Sequence, residues 1–334
     1  MGQRLNKTSA LLITAAGSFL MPFMGSSVNV ALPSIGREFS MDAILLSWVS
    51  TGYLLAAAMF LVPFGRIADI HGRKKIFSSG ILVFTLCSLF LGLSTSAHTV
   101  LVLRVLQGIG GAMTFGTGVA ILTSIFAAGE RGKALGFNVT AVYMGLSLGP
   151  FLGGFLTEHW GWRSIFLVMV PLGVAVLGLI HWKLEGEWAE ARGERFDYMG
   201  SSLYGLSLVA VMVGFSQLPQ WLGEELILGG LVGLGAFVRW EMKIPSPVLN
   251  ISLFRHNRVF ALSNLAALIH YSATFGVGFL LSLYLQYIKG LSPSHAGSIL
   301  LCQPVVQALF SPFAGRLSDR IEPRVVSSLG MGFS

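Results

Sequence analysis

The run Gly65-Arg66-Ile67-Ala68-Asp69-Ile70-His71-Gly72-Arg73-Lys74-Lys75 stands between two long apolar stretches. A weaker copy returns at Gly315-Arg316-Leu317-Ser318-Asp319-Arg320. In the copy, Glu322 and Pro323 take the places of Gly72 and Arg73. One short polar turn recurring 250 positions later, each time flanked by apolar sequence, indicates a duplicated membrane bundle. Duplicated bundles are the architecture of carriers whose halves rock about a central site.

Composition sets the solvent. Apolar residues make up 54% of the chain and charged residues 11%, with a mean hydropathy of +0.73. A soluble domain carries about 25% charged residues, so this chain cannot cover a water-facing surface. The net charge of +7 lies in short loops between apolar runs, a positive-inside pattern and not a nucleic-acid-binding face. Cys87 and Cys302 each sit inside an apolar run and read as small buried hydrophobes. No metal spacing, nucleophile–base set or phosphate loop is present in the sequence, so neither an enzyme nor a cofactor is expected. The first apolar run lacks a small-residue cleavage site and reads as a retained first helix.

A bilayer core takes about 20 apolar residues per helix. Ten runs qualify, near 11–32, 44–64, 76–93, 100–126, 136–157, 165–180, 199–218, 226–238, 259–287 and 297–313, and an eleventh begins near 325. With the amino terminus inside, 18 of the 22 Lys and Arg residues fall on the inner side, three (Arg37, Arg163, Lys289) fall outside, and Arg104 lies within a span. That bias sets the orientation: a multi-pass protein of the cytoplasmic membrane with a cytoplasmic amino terminus. The charged loop at 182–198 is expected to be helical, and the stretch at 241–258 to lie along the inner membrane face. The chain stops inside an apolar run, so it is expected to be carboxyl-terminally truncated.

The turn at 65–75 resembles the signature loop between spans two and three of the major facilitator superfamily. In that family the loop latches one half against the other; the plainer reading is a positive-inside anchor. The latch set is Gly65, Asp69, Gly72, Arg73 and Lys74, with Gly315 and Asp319 from the copy. Span four, with Arg104-Val105-Leu106-Gln107-Gly108-Ile109-Gly110-Gly111-Ala112, resembles the family pattern in which a membrane arginine is linked to proton transfer. Snorkelling of Arg104 to the outer interface is the other reading. Span five carries Gly145, Gly149, Pro150, Gly153 and Gly154 in one register, which resembles the antiporter motif of exporters. Asn29-Val30-Ala31-Leu32-Pro33, Trp48 with Tyr53, and Trp162-Arg163 with Phe166 and Pro171 fit the same resemblance. Together these stretches are similar to the fourteen-span drug:proton antiporters.

The resemblance implies an all-α membrane protein with two pseudo-symmetric six-helix bundles and two extra linker spans, the second bundle being incomplete here. Residues 1–182 would form the first bundle. Residues 183–258 would hold the cytoplasmic loop, the extra spans and an amphipathic connector, and 259–334 would start the second bundle. Members of the family often carry an aspartate before the Asn-Val-Ala-Leu-Pro stretch. Here Phe23-Met24-Gly25-Ser26-Ser27 stands there, and none of the fifteen acids lies near the centre of a span. His270 in span nine is then the mid-span group able to change charge near neutral pH; its other reading is a neutral histidine bonded to a neighbouring helix. Cavity candidates are Asn29, Trp48, Tyr53, Gln107, Tyr271, Gln303 and Gln307, each of which also suits a helix–helix hydrogen bond.

The implied function is proton-driven export of small amphipathic compounds, by a chain expected to act as a monomer in the lipid bilayer. Two alternatives stand beside it: an uncoupled facilitator or importer, and a non-transporting membrane fragment.

Overall fold

The computed structural model describes residues 7–307 together with 309, 310, 325, 328 and 330. Every regular element among them is helical. The elements are α1 (Lys7–Phe39), α2 (Ala43–His71), α3 (Arg73–Gly92), α4 (Ala97–Ile125), α5 (Ala128–Trp160), α6 (Arg163–Lys183), α7 (Tyr198–Ser216) and α8 (Trp221–Glu241). After them come α9 (Ser252–His256), α10 (Arg258–Leu283), a π-helical turn at Tyr284–Ile288 and α11 (Pro293–Leu300). Nine of the described helices are long and apolar enough to cross a membrane. In hydrocarbon a backbone finds no water, so a long apolar run satisfies its amides by coiling into a helix.

Local chemistry sets the helix ends. Asp42 accepts from Leu45 N at 2.7 Å, Ser96 from Thr99 N at 3.2 Å and Asn257 from Phe260 N at 3.0 Å, each capping free amides at a helix start. Gly72, at φ 123°, makes the break between α2 and α3, a conformation that side chains rarely adopt.

Helices α1–α6 share one core, built around Met24, Leu32, Phe77, Phe84 and Phe166. Small residues bring the backbones together: a Cβ on Gly110 would lie 2.8 Å from Phe84 N on α3. Close backbone approach is how helices hold together where lipid removes the hydrophobic drive. Helices α7 and α8 form a hairpin of the same kind, in which Gly214 and Gly230 face Gly223 and Ser207. The hairpin leans on α2, where Tyr204 donates to the Ala58 carbonyl at 3.2 Å.

One expectation is corrected. The loop at 182–198 is not a helix: α6 ends at Lys183, α7 begins at Tyr198, and 184–197 is irregular. Gly186 and Gly193 take φ of 91° and 93°, which breaks helical continuation. The loop's amides and carboxylates turn back on the 65–75 turn instead. The tenth run is helical at Pro293–Leu300 and again over 302–307. The second polar turn, with Gly315 and Asp319, lies outside the described residues.

Candidate functional site

Three constellations stand out, two within α2–α4 and the 184–197 loop and one between α1–α5 and α10–α11. The first is the 65–75 turn. Arg73 is 7% exposed; its Nε donates to Asp69 Oδ1 at 2.8 Å, its Nη1 to Glu190 Oε1 at 2.7 Å, and Nη1 also reaches Ser124 Oγ. Arg66 pairs with Glu194 at 2.5 Å. Glu187 accepts from Lys74 N at 2.8 Å and Lys75 N at 3.2 Å, filling the anion position at the start of α3 that glycine leaves without a side-chain cap. The Lys74 ammonium reaches the Leu184 carbonyl. Gly65 has open space around its Cβ position. The loop 184–197 is therefore an acidic strap over the turn. Acids at 187, 190 and 194 opposite a turn of four cations were the available signal; reading them as a helical connector hid it.

The Arg73 hydrogen bond and charge hold the Glu190 carboxyl below the usual carboxylate value of 4.5, against the opposing effect of burial. A depressed carboxylate stabilises the fold above its unfolded-state value and loses that contribution as pH falls through the folded one. The strap is therefore expected to loosen as pH drops below about 4.5. Glu190→Gln should loosen it at neutral pH, read as roughly threefold faster tryptic cleavage at Arg192 and Arg195, in keeping with a pair whose carboxylate faces solvent. Unchanged cleavage would show that the strap does not depend on the Glu190 carboxylate.

The second constellation is buried. Arg104 is 1% exposed and stands seven residues, about two turns, into α4. Its Nε donates to the Val49 carbonyl at 2.9 Å and its Nη1 to Gln107 Oε1 at 2.5 Å; Gln107 Nε2 donates to Ser88 Oγ at 2.8 Å. The guanidinium lies 4.3 Å from the Tyr53 ring centroid. Arg104 does not snorkel. Gln107 is fully buried and ties α4 to α3, so it is not a cavity residue.

The third is a cavity of about 530 Å³ between α1, α2, α4 and α5 on one side and α10 with residues 300–307 on the other. Asn29, Tyr53, Tyr271, Gln303 and Gln307 line it, as do His270 and Pro150. Trp48 does not: five residues separate it from Tyr53, which turns it about 140° around α2. Asn29 serves both expected roles, walling the cavity while its Oδ1 accepts from Ser50 Oγ at 2.9 Å. Tyr53 joins the second constellation to the third, with its ring beside Arg104 and its hydroxyl at the Gly111 wall. Met24 is fully buried behind the wall, which Gly25 and Ser26 form instead. Tyr143, Phe115 and Thr274 also line the cavity and were not singled out from sequence, since aromatic and hydroxyl residues recur on lipid-facing and packed faces alike.

The α5 register has a plain geometric meaning. A Cβ on Gly145 would lie 2.7 Å from the Phe19 carbonyl, and one on Gly153 2.7 Å from Ser27 Cβ; one on Gly149 would clash with Ser26 Oγ. Ser27 Oγ donates to the Gly149 carbonyl at 2.8 Å. On the adjoining face, one residue further on, Gly154 abuts Pro293, and Gly297 abuts the Pro150 carbonyl. The five residues thus make the α1–α5 contact and the α5–α11 contact. The cavity is closed at that end: Ser282 Oγ donates to the Asn29 carbonyl at 2.8 Å, Gln286 Nε2 to Val30 O at 2.9 Å, and Ser294 N to Glu158 Oε2 at 3.0 Å. At the 65–75 end, no hydrogen bond among the described residues joins 258–269 to α1–α6.

Comparison with known proteins identifies the family and the fold. The chain is 30% identical over 317 residues to the riboflavin transporter RibZ of Clostridioides difficile strain 630, covering 94% of this chain and 68% of RibZ. It is 33% identical over 335 residues to the multidrug resistance protein Stp of Mycobacterium tuberculosis strain CDC 1551/Oshkosh, covering 98% of this chain and 62% of Stp. The chain therefore spans about two thirds of the length of these relatives. The crystal structure of the peptide transporter POT in complex with sulfate shares the fold, with a TM-score of 0.69 at 15% identity over 94% of this chain and 69% of that one. Residues 14–334 match the family profile, and with the helical bundle and its inter-helix cavity this establishes that the chain belongs to the Major Facilitator Superfamily.

Proposed function

We propose that this protein exports small amphipathic compounds across the cytoplasmic membrane by alternating access, in exchange for protons. The observation that carries the proposal is the cavity, apolar and aromatic with a few amide and hydroxyl groups, set between α1–α5 and α10–α11. A cavity of that lining suits ligands that are mostly apolar with a few fixed polar contacts. The Lys and Arg distribution supports a cytoplasmic amino terminus, so the end of the cavity where no bridging hydrogen bond occurs among the described residues would face the cytoplasm, where an exported compound loads. The glycine face of α5 gives α1 and α11 a surface to slide on. In this reading Gly65, Asp69, Gly72, Arg73 and Lys74 form a latch that Gly315 and Asp319 match in the second half. The domain division is 1–182, 183–258 and 259–334, and a monomer is the working unit. The names of Stp and RibZ support two substrate classes, a toxic drug and a metabolite.

A protonophore should abolish efflux of a fluorescent amphipathic dye from intact cells. His270→Ala should flatten the pH dependence of that efflux, because His270 is the imidazole on the cavity wall. An unaltered pH profile in His270→Ala would remove it as proton carrier. One observation favours a second reading, an uncoupled facilitator: no Asp or Glu lines the cavity among the described residues. Efflux that persists with the protonophore would select that reading over proton exchange.

A further inference from the structure

The α7–α8 hairpin holds a pair of acids that the cavity and the latch do not use. Asp197 is 9% exposed and Glu241 3% exposed, at the start of α7 and the end of α8. Asp197 Oδ1 accepts from Gly200 N at 2.9 Å and Oδ2 from Trp240 Nε1 at 3.0 Å. Glu241 Oε2 accepts from Leu249 N at 2.9 Å, while Glu241 Oε1 is buried without a hydrogen-bond partner. A Cβ on Gly200 would strike both Asp197 Oδ2 and Glu241 Oε1, so the two oxygens lie beside the same glycine and close to each other. A buried acceptor left without a donor carries a penalty, and a neighbouring carboxylate disfavours ionisation of both.

We propose that Asp197 and Glu241 form a proton-binding site, in which one proton on Glu241 Oε1 is donated to Asp197 Oδ2. That single hydrogen satisfies the one orphaned oxygen and removes the repulsion, and each of the other three oxygens of the pair already accepts from an N–H donor. The proton comes from water at the 65–75 end of the bundle. Among the described residues no cation forms an ion pair with either acid. Arg255 and His256 on α9 share with Glu241 the walls of a surface pocket of about 420 Å³, but neither makes an ion pair with either acid. Glu194, which accepts from Ser246 Oγ, is engaged by Arg66. The site also has a mechanical consequence. Glu241 anchors Leu249 in the connector leading to α10, and Asp197 ends the strap, so protonation couples the strap, the hairpin and the connector.

The test is infrared spectroscopy of the full chain in lipid nanodiscs, following the carbonyl stretch of a protonated carboxylic acid. At neutral pH the wild type should show a band that shifts in deuterated buffer and is absent from Glu241→Gln and Asp197→Asn. Glu241→Gln keeps a donor toward Asp197, so it should fold. Its melting temperature should be flat between pH 6 and 9, whereas the wild type's should fall as rising pH removes a proton that the folded state holds and the unfolded chain has released. A wild type without the band, or a band that persists in Glu241→Gln, would overturn the proposal.

Discussion

Gly149→Leu is expected to reduce dye efflux to the level of cells lacking the protein. A Cβ at 149 would stand 2.8 Å from the Phe23 carbonyl and inside the Ser26 hydroxyl, on the face where Ser27 already bonds the Gly149 carbonyl. Both neighbours are on α1, and one is backbone, so α1 and α5 must move apart. Overpacking of this kind costs about 1–3 kcal/mol, and the displacement passes along α5 to Gly154 and Pro293 at the junction with α11. Gly136→Leu is the matched control: the same change in the same helix, with nothing within 4 Å of the new Cβ. It should keep near-normal efflux at equal membrane abundance. Equal loss in both variants would mean that α5 tolerates no leucine in general, and the sliding-face assignment would fall.

Arg104→Ala should lower efflux at least ~tenfold and lower the melting temperature by several degrees. The guanidinium bridges α2 and α4, holds Gln107, and packs over Tyr53. Its removal strands the Gln107 oxygen at a cost of about 1–3 kcal/mol and leaves a void beneath a cavity-lining ring. Arg104 touches the cavity through Tyr53, so it acts as a positioning residue. Arg104→Lys separates the two consequences: one ammonium cannot span the Val49 carbonyl and the Gln107 amide as the planar fork does. Stability should return in part while efflux stays low. Full efflux in Arg104→Ala would exclude the network from transport.

Sequence alone determined the helices, the polar turn and the α5 glycine face. The predicted runs match α1–α8 and α10 within a few residues at most ends, because hydrocarbon leaves an apolar stretch one way to satisfy its backbone. Gly145, Gly149 and Gly153 share one helix face by spacing, and their lack of side chains can only serve close approach.

Tertiary structure decided which polar groups do what. In lipid, a helix–helix bond and a cavity wall draw on the same residue types, so Gln107 and Asn29 look alike in sequence. One ends up sealed between α3 and α4 and the other at the cavity. The Arg73–Glu190 pair spans 117 positions and the Asp197–Glu241 pair joins opposite ends of a hairpin. No local periodicity encodes such partners. The first follows from the glycine-broken loop at 184–197 folding back on the 65–75 turn, and the second from the α7–α8 hairpin bringing the start of one helix beside the end of the other.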